Sequence, residues 1–238
     1  MEPTPETSEA LRELARRGDT TLGVELHAMA SRIRALVPEV IGVSLSVVAD
    51  GITLTLVASL EEFAALDAVQ YLDGGPCVAA VDRSVVLDVN VGDLLDEDRW
   101  LFYARASAAV GVASSLSLPI MSHDRVVGGV NLYASTRDAF TGRHEALAEA
   151  VGSDAEYAVT NADLSFATRR RAEDAPGRVR QSDDVNIALG IISAAHEVAI
   201  PVARERLRDA AARAGITEAQ AARALVHIRR GVDPHSTG

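Results

Sequence analysis

Cys77 is the only thiol in 238 residues, and it follows Pro76 where a short helix is expected to begin. A lone thiol forms no intrachain disulfide, and redox turnover needs a second cysteine to resolve it. Cys77 therefore reads as a small packed side chain, and a reducing cytoplasm is the expected compartment. His27, His123 and His144 lack metal-ligand spacing. Asp93, Asp96, Glu97 and Asp98 form an acidic stretch without the Gly and ligand spacing of a calcium loop. Gly74-Gly75 lacks the Lys and spacing of a phosphate loop. No nucleophile–base pair is visible, so no catalytic residue, metal or cofactor is expected, and the chain reads as a non-enzyme.

Two sets of residues carry binding chemistry instead. Phe63, Tyr71, Trp100 and Phe102 are spread over a segment that could line a small-molecule pocket, or equally fill a core. Gln220, Arg223, His227 and Arg230 lie near the end of the chain. On a helix Arg223, His227 and Arg230 fall four and seven apart and share a face. Arg there would suit a polyanion's phosphates and the polar groups its bases; the plain alternative is a solvated face. No aromatic follows Phe166, so stacking would fall to His or Arg.

The charge supports that division. The chain is acidic, with 23 basic residues against 34 acidic ones and a net charge of −11. All of the basic residues are Arg. Residues 1–177 hold 14 Arg against 27 acidic groups, whereas residues 178–230 hold 9 Arg against 6. An acidic body repels polyanions and a mildly basic tail tolerates them. No apolar run is long enough to cross a membrane, and Met1 to Glu6 has no signal-like apolar stretch.

The elements that must position these residues follow from periodicity. Leu22, Leu26, Met29, Ala30, Ile33 and Val37 make one helix face, closed by Pro38. Ile41–Val48 and 52–57 alternate as strands around an Asp50-Gly51 turn, with Ser44 and Ser46 set against Val43, Leu45 and Val47. Residues 59–70 read as helical or irregular, and Pro76 opens the helix of Cys77 to Asp82. Val85–Val89 is a short strand, 90–100 an acidic loop, and Trp100–Val110 a helix. Strands at Ser114–Ile120 and Val126–Tyr133 flank a His123-Asp124 turn, and Gly128-Gly129 signals a bulge or close backbone approach. Thr141 is the candidate cap, with Glu145, of a helix running to about Thr168. Its stripe of Leu147, Val151, Ala155, Ala158, Ala162 and Phe166 suits a connector, a dimer seam or packing on its own sheet.

Arg169 to Gly177 joins a charge run to Pro-Gly and marks a boundary, which few contacts are expected to cross. Helices at about 180–196, 201–214 and 217–230 follow. Pro201 suits a first turn, Gly215 a C-cap, and Thr217 with Gln220 a capping box. The expected organisation is an extension (1–18), a sensor domain with a long last helix (19–168), a linker (169–177), a three-helix domain (178–232) and a tail (233–238).

Gln70 to Ala80, Ser115 to Ile120 and Val127 to Tyr133, with this order of elements, resemble a GAF domain. Ile187-Ala188-x-Gly190-Ile191-Ile192, Ala203, Leu207, Ala222 and Leu225-Val226 resemble the ANTAR domain, a three-helix antitermination module fused to GAF domains in actinobacteria. The resemblance implies an α+β GAF domain, its antiparallel sheet flanked by helices, followed by an all-α three-helix ANTAR-like domain. Ala188 and Gly190 would then permit close helix contact. It further implies a cytoplasmic transcription regulator. The GAF domain would sense an unknown small molecule, and the tail would bind structured stem-loops in nascent transcripts as a homodimer. The chain departs from the ANTAR pattern at Gly215 to Glu218, where an Asn and basic residues are common, at Leu189, where a basic residue is common, and at Asp183-Asp184, where a Ser-Arg pair is common. The alternative is therefore a dimerisation or protein-interaction module that does not bind RNA.

Overall fold

The computed structural model describes residues 20–49, 51–97, 99–160 and 183–230. The expectations for 1–18, the linker 169–177, the tail and the end of the connector helix lie outside them.

Helix α1 (Thr20–Leu36) leads into β1 (Val40–Ala49) and β2 (Ile52–Ala58). Helices α2 (Glu61–Asp73) and α3 (Pro76–Arg83) precede β3 (Leu87–Asn90). Helices α4 (Val91–Asp96) and α5 (Leu101–Ala109) then lead to β4 (Ser114–Ser122), β5 (Arg125–Ala134) and α6 (His144–Thr160). The five strands form one sheet in the order β2-β1-β5-β4-β3, and every neighbouring pair is antiparallel. The acidic loop expected over 90–100 is in part the helix α4. Val91 and Leu94 are buried and give that segment an apolar side. Thr141 does not cap α6, which begins three residues later, after a turn.

Turn chemistry sets the hairpins. His123 and Asp124 both take left-handed backbone, φ 48° and 61°, the geometry whose twist matches paired strands. At Gly128 the backbone of β5 runs so close to β1 that a side chain would strike the Ser46 carbonyl. The register with β4 shifts beside it, between Ile120 and Met121. Close approach and irregular pairing thus coincide at the glycine pair.

The two faces of the sheet differ. One is dry: Val43, Leu45, Val47, Leu54, Leu116, Leu118, Val130 and Leu132 pack beneath Met29 and Ile33 of α1 and Leu147, Val151 and Ala155 of α6. The first turns of α6 therefore pack on their own sheet. The other face carries Ser44, Ser46, Thr53, Thr55, Ser115, Ser117 and Asn131, and it too is buried.

That second face is covered by α3 over β4 and β5 and by α2 over β1 and β2. Every residue from Phe63 to Gln70 is buried, and a helix buried all round needs neighbours on both sides. The sheet supplies one. The other is a helical segment of α7 (Asp183–His196), α8 (Ile200–Ala214) and α9 (Glu218–Arg230). Helices α8 and α9 both lie against α2, α9 also meets α5, and α8 reaches β2. Ala188, Ala203, Leu207, Ala222, Leu225 and Val226 share one continuous core with Phe63, Leu66 and Tyr103. The expectation of few contacts between the two parts is corrected. The surface of α2 is apolar and must be covered.

The local signals in the helical segment hold. Gly215 takes φ 70° at the end of α8. Gln220 and Thr217 form a reciprocal capping box, with Gln220 Oε1 accepting from the Thr217 amide and Thr217 Oγ1 from the Gln220 amide. Ala188 is fully buried. Gly190 is exposed, and a Cβ there would meet nothing, so the close contact expected of it is absent among the described residues.

Candidate functional site

Alternation places the polar side chains of four strands on one buried face, and register brings them together. Ser44 and Ser117 both stand opposite Asn131, and Ser46 opposite Thr55 and Gly129. Helix α2 lowers Asp67 into their midst. Its carboxylate accepts from Tyr133 Oη at 2.9 Å, Thr55 Oγ1 at 3.0 Å, and Ser44 Oγ and Asn131 Nδ2 at 3.1 Å. Burial raises its pKa from 3.8 to about 6, and the hydrogen bonds from Tyr133, Ser44, Thr55 and Asn131 oppose that rise. A carboxylate this buried is retained only with such partners.

The network extends outward from Asp67. Asn131 Nδ2 also donates to Ser44 Oγ, and Asn131 Oδ1 accepts from Ser117 Oγ at 2.9 Å. Thr55 spends its hydroxyl proton on Asp67, so the 2.9 Å contact with Tyr71 Oη is a donation from Tyr71. Tyr103 Oη donates to Ser115 Oγ at 2.7 Å. Burial holds the phenols of Tyr71, Tyr103 and Tyr133 above their ordinary range, with the charge of Asp67 adding to the rise in each.

Cys77 stands at the rim of this network. Its amide donates to Gln70 Oε1 at 2.8 Å, and its sulfur lies 3.7 Å from Ser46 Oγ. Burial, then the charge of Asp67, pushes the thiol up to about 12. It is a packed side chain and a poor nucleophile. Among the described residues no group of His, Cys, Asp and Glu could hold a metal ion.

Of the four aromatics expected to line a pocket or fill the core, Phe63 and Tyr71 touch residues of this network. Phe63 is buried and stacks on Tyr133, with ring centroids 5.0 Å apart. Tyr71 has its hydroxyl in the network, and the Arg213 guanidinium lies 4.3 Å from its ring centroid. Phe102 meets the His196 ring edge-on at 6.1 Å. Trp100 enters α5 in left-handed backbone, with Arg99 over its ring at 4.8 Å. Sequence reasoning misses Asp67, Ser44, Thr55, Asn131 and Tyr133 as a site. The available signal is the serine and threonine alternation, which reads the same whether that face meets water or a second layer.

The surface between the sensor domain and the helical segment is polar at its rim. Arg213 Nε donates to the Thr53 carbonyl of β2 at 3.0 Å. His196 Nε2 lies 3.4 Å from Asp73 Oδ1. Burial raises the Asp73 carboxyl, and His196 opposes the rise. Arg223 sits 3.4 Å from Glu61 Oε1 of α2. Of the residues assigned to RNA, Arg223 is exposed, and Gln220 has its carbonyl oxygen in the capping box. His227 and Arg230 follow on α9; their side chains lie outside those described.

A sheet in the order 2-1-5-4-3, with helices on both faces and a buried polar layer under one of them, defines a sensor-type α+β domain. Residues 24–160 match the GAF domain family, more than half of the chain, and the chain belongs to that family. A comparison with curated proteins gives no match. Solved structures that align with the chain include a type II free methionine-R-sulfoxide reductase from Thermoplasma acidophilum. It is 14% identical over 57% of this chain and 94% of that one, with a TM-score of 0.38. The GAF domain of a two-component sensor histidine kinase from Bacillus halodurans is 13% identical over 58% and 93%, with a TM-score of 0.41. SdiA in complex with octanoyl-rac-glycerol is 14% identical over 95% and 97%, also at 0.41. Among the described residues no single helix is long and apolar enough to cross a membrane.

Proposed function

We propose that this GAF protein is a cytoplasmic signalling regulator and not an enzyme. Its sensor domain takes a small molecule at the buried polar face. Its helical segment is an ANTAR-like output that binds stem-loops in nascent transcripts and opposes termination, acting as a homodimer. The observation that carries the reading is the core of the segment. The residues of the ANTAR resemblance, Ala188, Ala203, Leu207, Ala222, Leu225 and Val226, are those that fill it. Arg223 stays at the surface, on the helix face that continues to His227 and Arg230.

The test is binding of the full chain to stem-loop RNA across a salt series. Changing Arg223, His227 and Arg230 together to Ala is expected to weaken binding to every stem-loop. It should also reduce the salt slope by about one unit for each Arg that neutralises a phosphate. Asp183 and Asp184 open α7, and changing both to Arg is expected to strengthen binding. Absence of binding by the native chain even at low salt overturns the RNA reading.

A second reading has its own support. Arg223 is paired with Glu61, and Gln220 is engaged in a cap. A chain whose basic face is partly spent within itself fits a dimerisation or protein-interaction module. That reading takes over if the salt series shows no RNA complex.

A further inference from the structure

Tyr71 belongs to two structures at once. Its hydroxyl donates to Thr55, whose hydroxyl donates to Asp67, at 2.9 and 3.0 Å. Its ring is covered by the Arg213 guanidinium of α8 at 4.3 Å. Arg213 also donates to the carbonyl of Thr53, on the same strand as Thr55 and two residues before it. The side chain of Arg213 is only 17% exposed, so the interaction is shielded from water.

We propose that Tyr71 and Arg213 form the link through which the polar site controls the docking of the helical segment, with the charge on Asp67 tightening the grip of α8. This rests on the sensor reading given above. The physics is a polarised chain. Hydrogen bonds that end on a carboxylate reinforce one another, so each hydroxyl pushes electron density toward its own oxygen. Tyr71, donating into that chain, presents a more negative ring, and a guanidinium over an aromatic face is held by that negative charge. A ligand that engages Asp67 or Thr55 takes up the bonds on which this polarisation depends. The hold on Arg213 weakens, and α8 loosens from β2 and α2. Helix α9 packs on α8 but also on α2 and α5, so the effect is read on α8. Tyr71 and Arg213 are positioning residues here. Neither needs to touch the ligand or the RNA.

The experiment is hydrogen exchange on the full chain, with no RNA and no ligand. Asp67→Asn keeps the shape and removes the charge. It is expected to speed exchange of the 200–214 amides by roughly three- to tenfold, the range set by a partly buried cation–aromatic interaction. Amides of α1 and α6, on the dry face, should keep native protection and so report an intact fold. Tyr71→Phe keeps the ring and cuts the chain. It should speed the 200–214 amides on its own, and adding Asp67→Asn should then change them by less than about twofold. Thr55→Val cuts the chain one step earlier and serves if Asp67→Asn does not fold. Unchanged exchange of α8 in a folded Asp67→Asn or Thr55→Val protein overturns the proposal. So does an Asp67→Asn effect that persists in full beside Tyr71→Phe. RNA does not enter this readout, so the coupling and the RNA reading fail separately.

Discussion

Asp67 contributes a pH response of its own. In the folded chain its pKa is about 6, raised from 3.8 by burial. A carboxyl raised on folding binds its proton more tightly in the native state. Stability therefore falls as pH rises between about 4 and 6, by about 3 kcal/mol from this group if the whole shift is expressed. The phenols and thiol around it are all pushed upward and stay neutral across that window. Urea midpoints are expected to drop over this range in the native chain, and Asp67→Asn is expected to flatten the drop. Cys77 gives a second check. With its thiol pushed up to about 12 and its side chain buried, it is expected to resist thiol reagents in the native state and react on denaturation. Cys77→Ser should retain the fold. The packed role of Cys77 is legible from its solitude. That of Asp67 is not, because an acidic residue amid Phe63, Leu66 and Val69 reads as the polar stripe of an ordinary helix. Only a second covering layer makes it buried.

Among elements, β5 is where a single added methyl should do most damage. Gly128→Ala drives a Cβ into the Ser46 carbonyl of β1, and neither backbone can move without opening the central pair of the sheet. A loss of about 3 kcal/mol is expected from such overpacking, read as a lower urea midpoint. The glycine pair is legible as a place of close approach, and so are the strands, because alternation and turn residues are local signals. The helix α4 is hidden because its acidic residues outweigh Val91, Leu94 and Leu95 in any short window. The start of α6 is misplaced from sequence because Thr141 and Glu145 have capping chemistry. The chain instead turns at Phe140 to Gly142, where Phe140 is buried and Gly142 takes φ 72°.

For the whole molecule, the shared core makes the sensor domain and the helical segment one folded body. A protease nick between residues 172 and 177 is expected to leave the two pieces associated through gel filtration, because Leu207, Ala211, Leu225 and Val226 remain seated on α2. Separation of two folded pieces at neutral pH would show that this core contributes little. The segment's own helices are plain in the sequence, through Pro201, Gly215 and the Thr217–Gln220 box. Their docking is hidden there, because helix periodicity reports that a face is apolar and not what covers it. The docking also shields the sheet. Strand β2 is an end strand of the sheet, and Arg213 occupies the Thr53 carbonyl. Lifting α8 frees that carbonyl and bares strand edge, the kind of surface on which a second chain adds itself. A population of undocked molecules is thus one step from aggregation. Variants that loosen α8 should turn cloudy on warming, at a rate that rises with protein concentration, before the dry face of the sheet gives way.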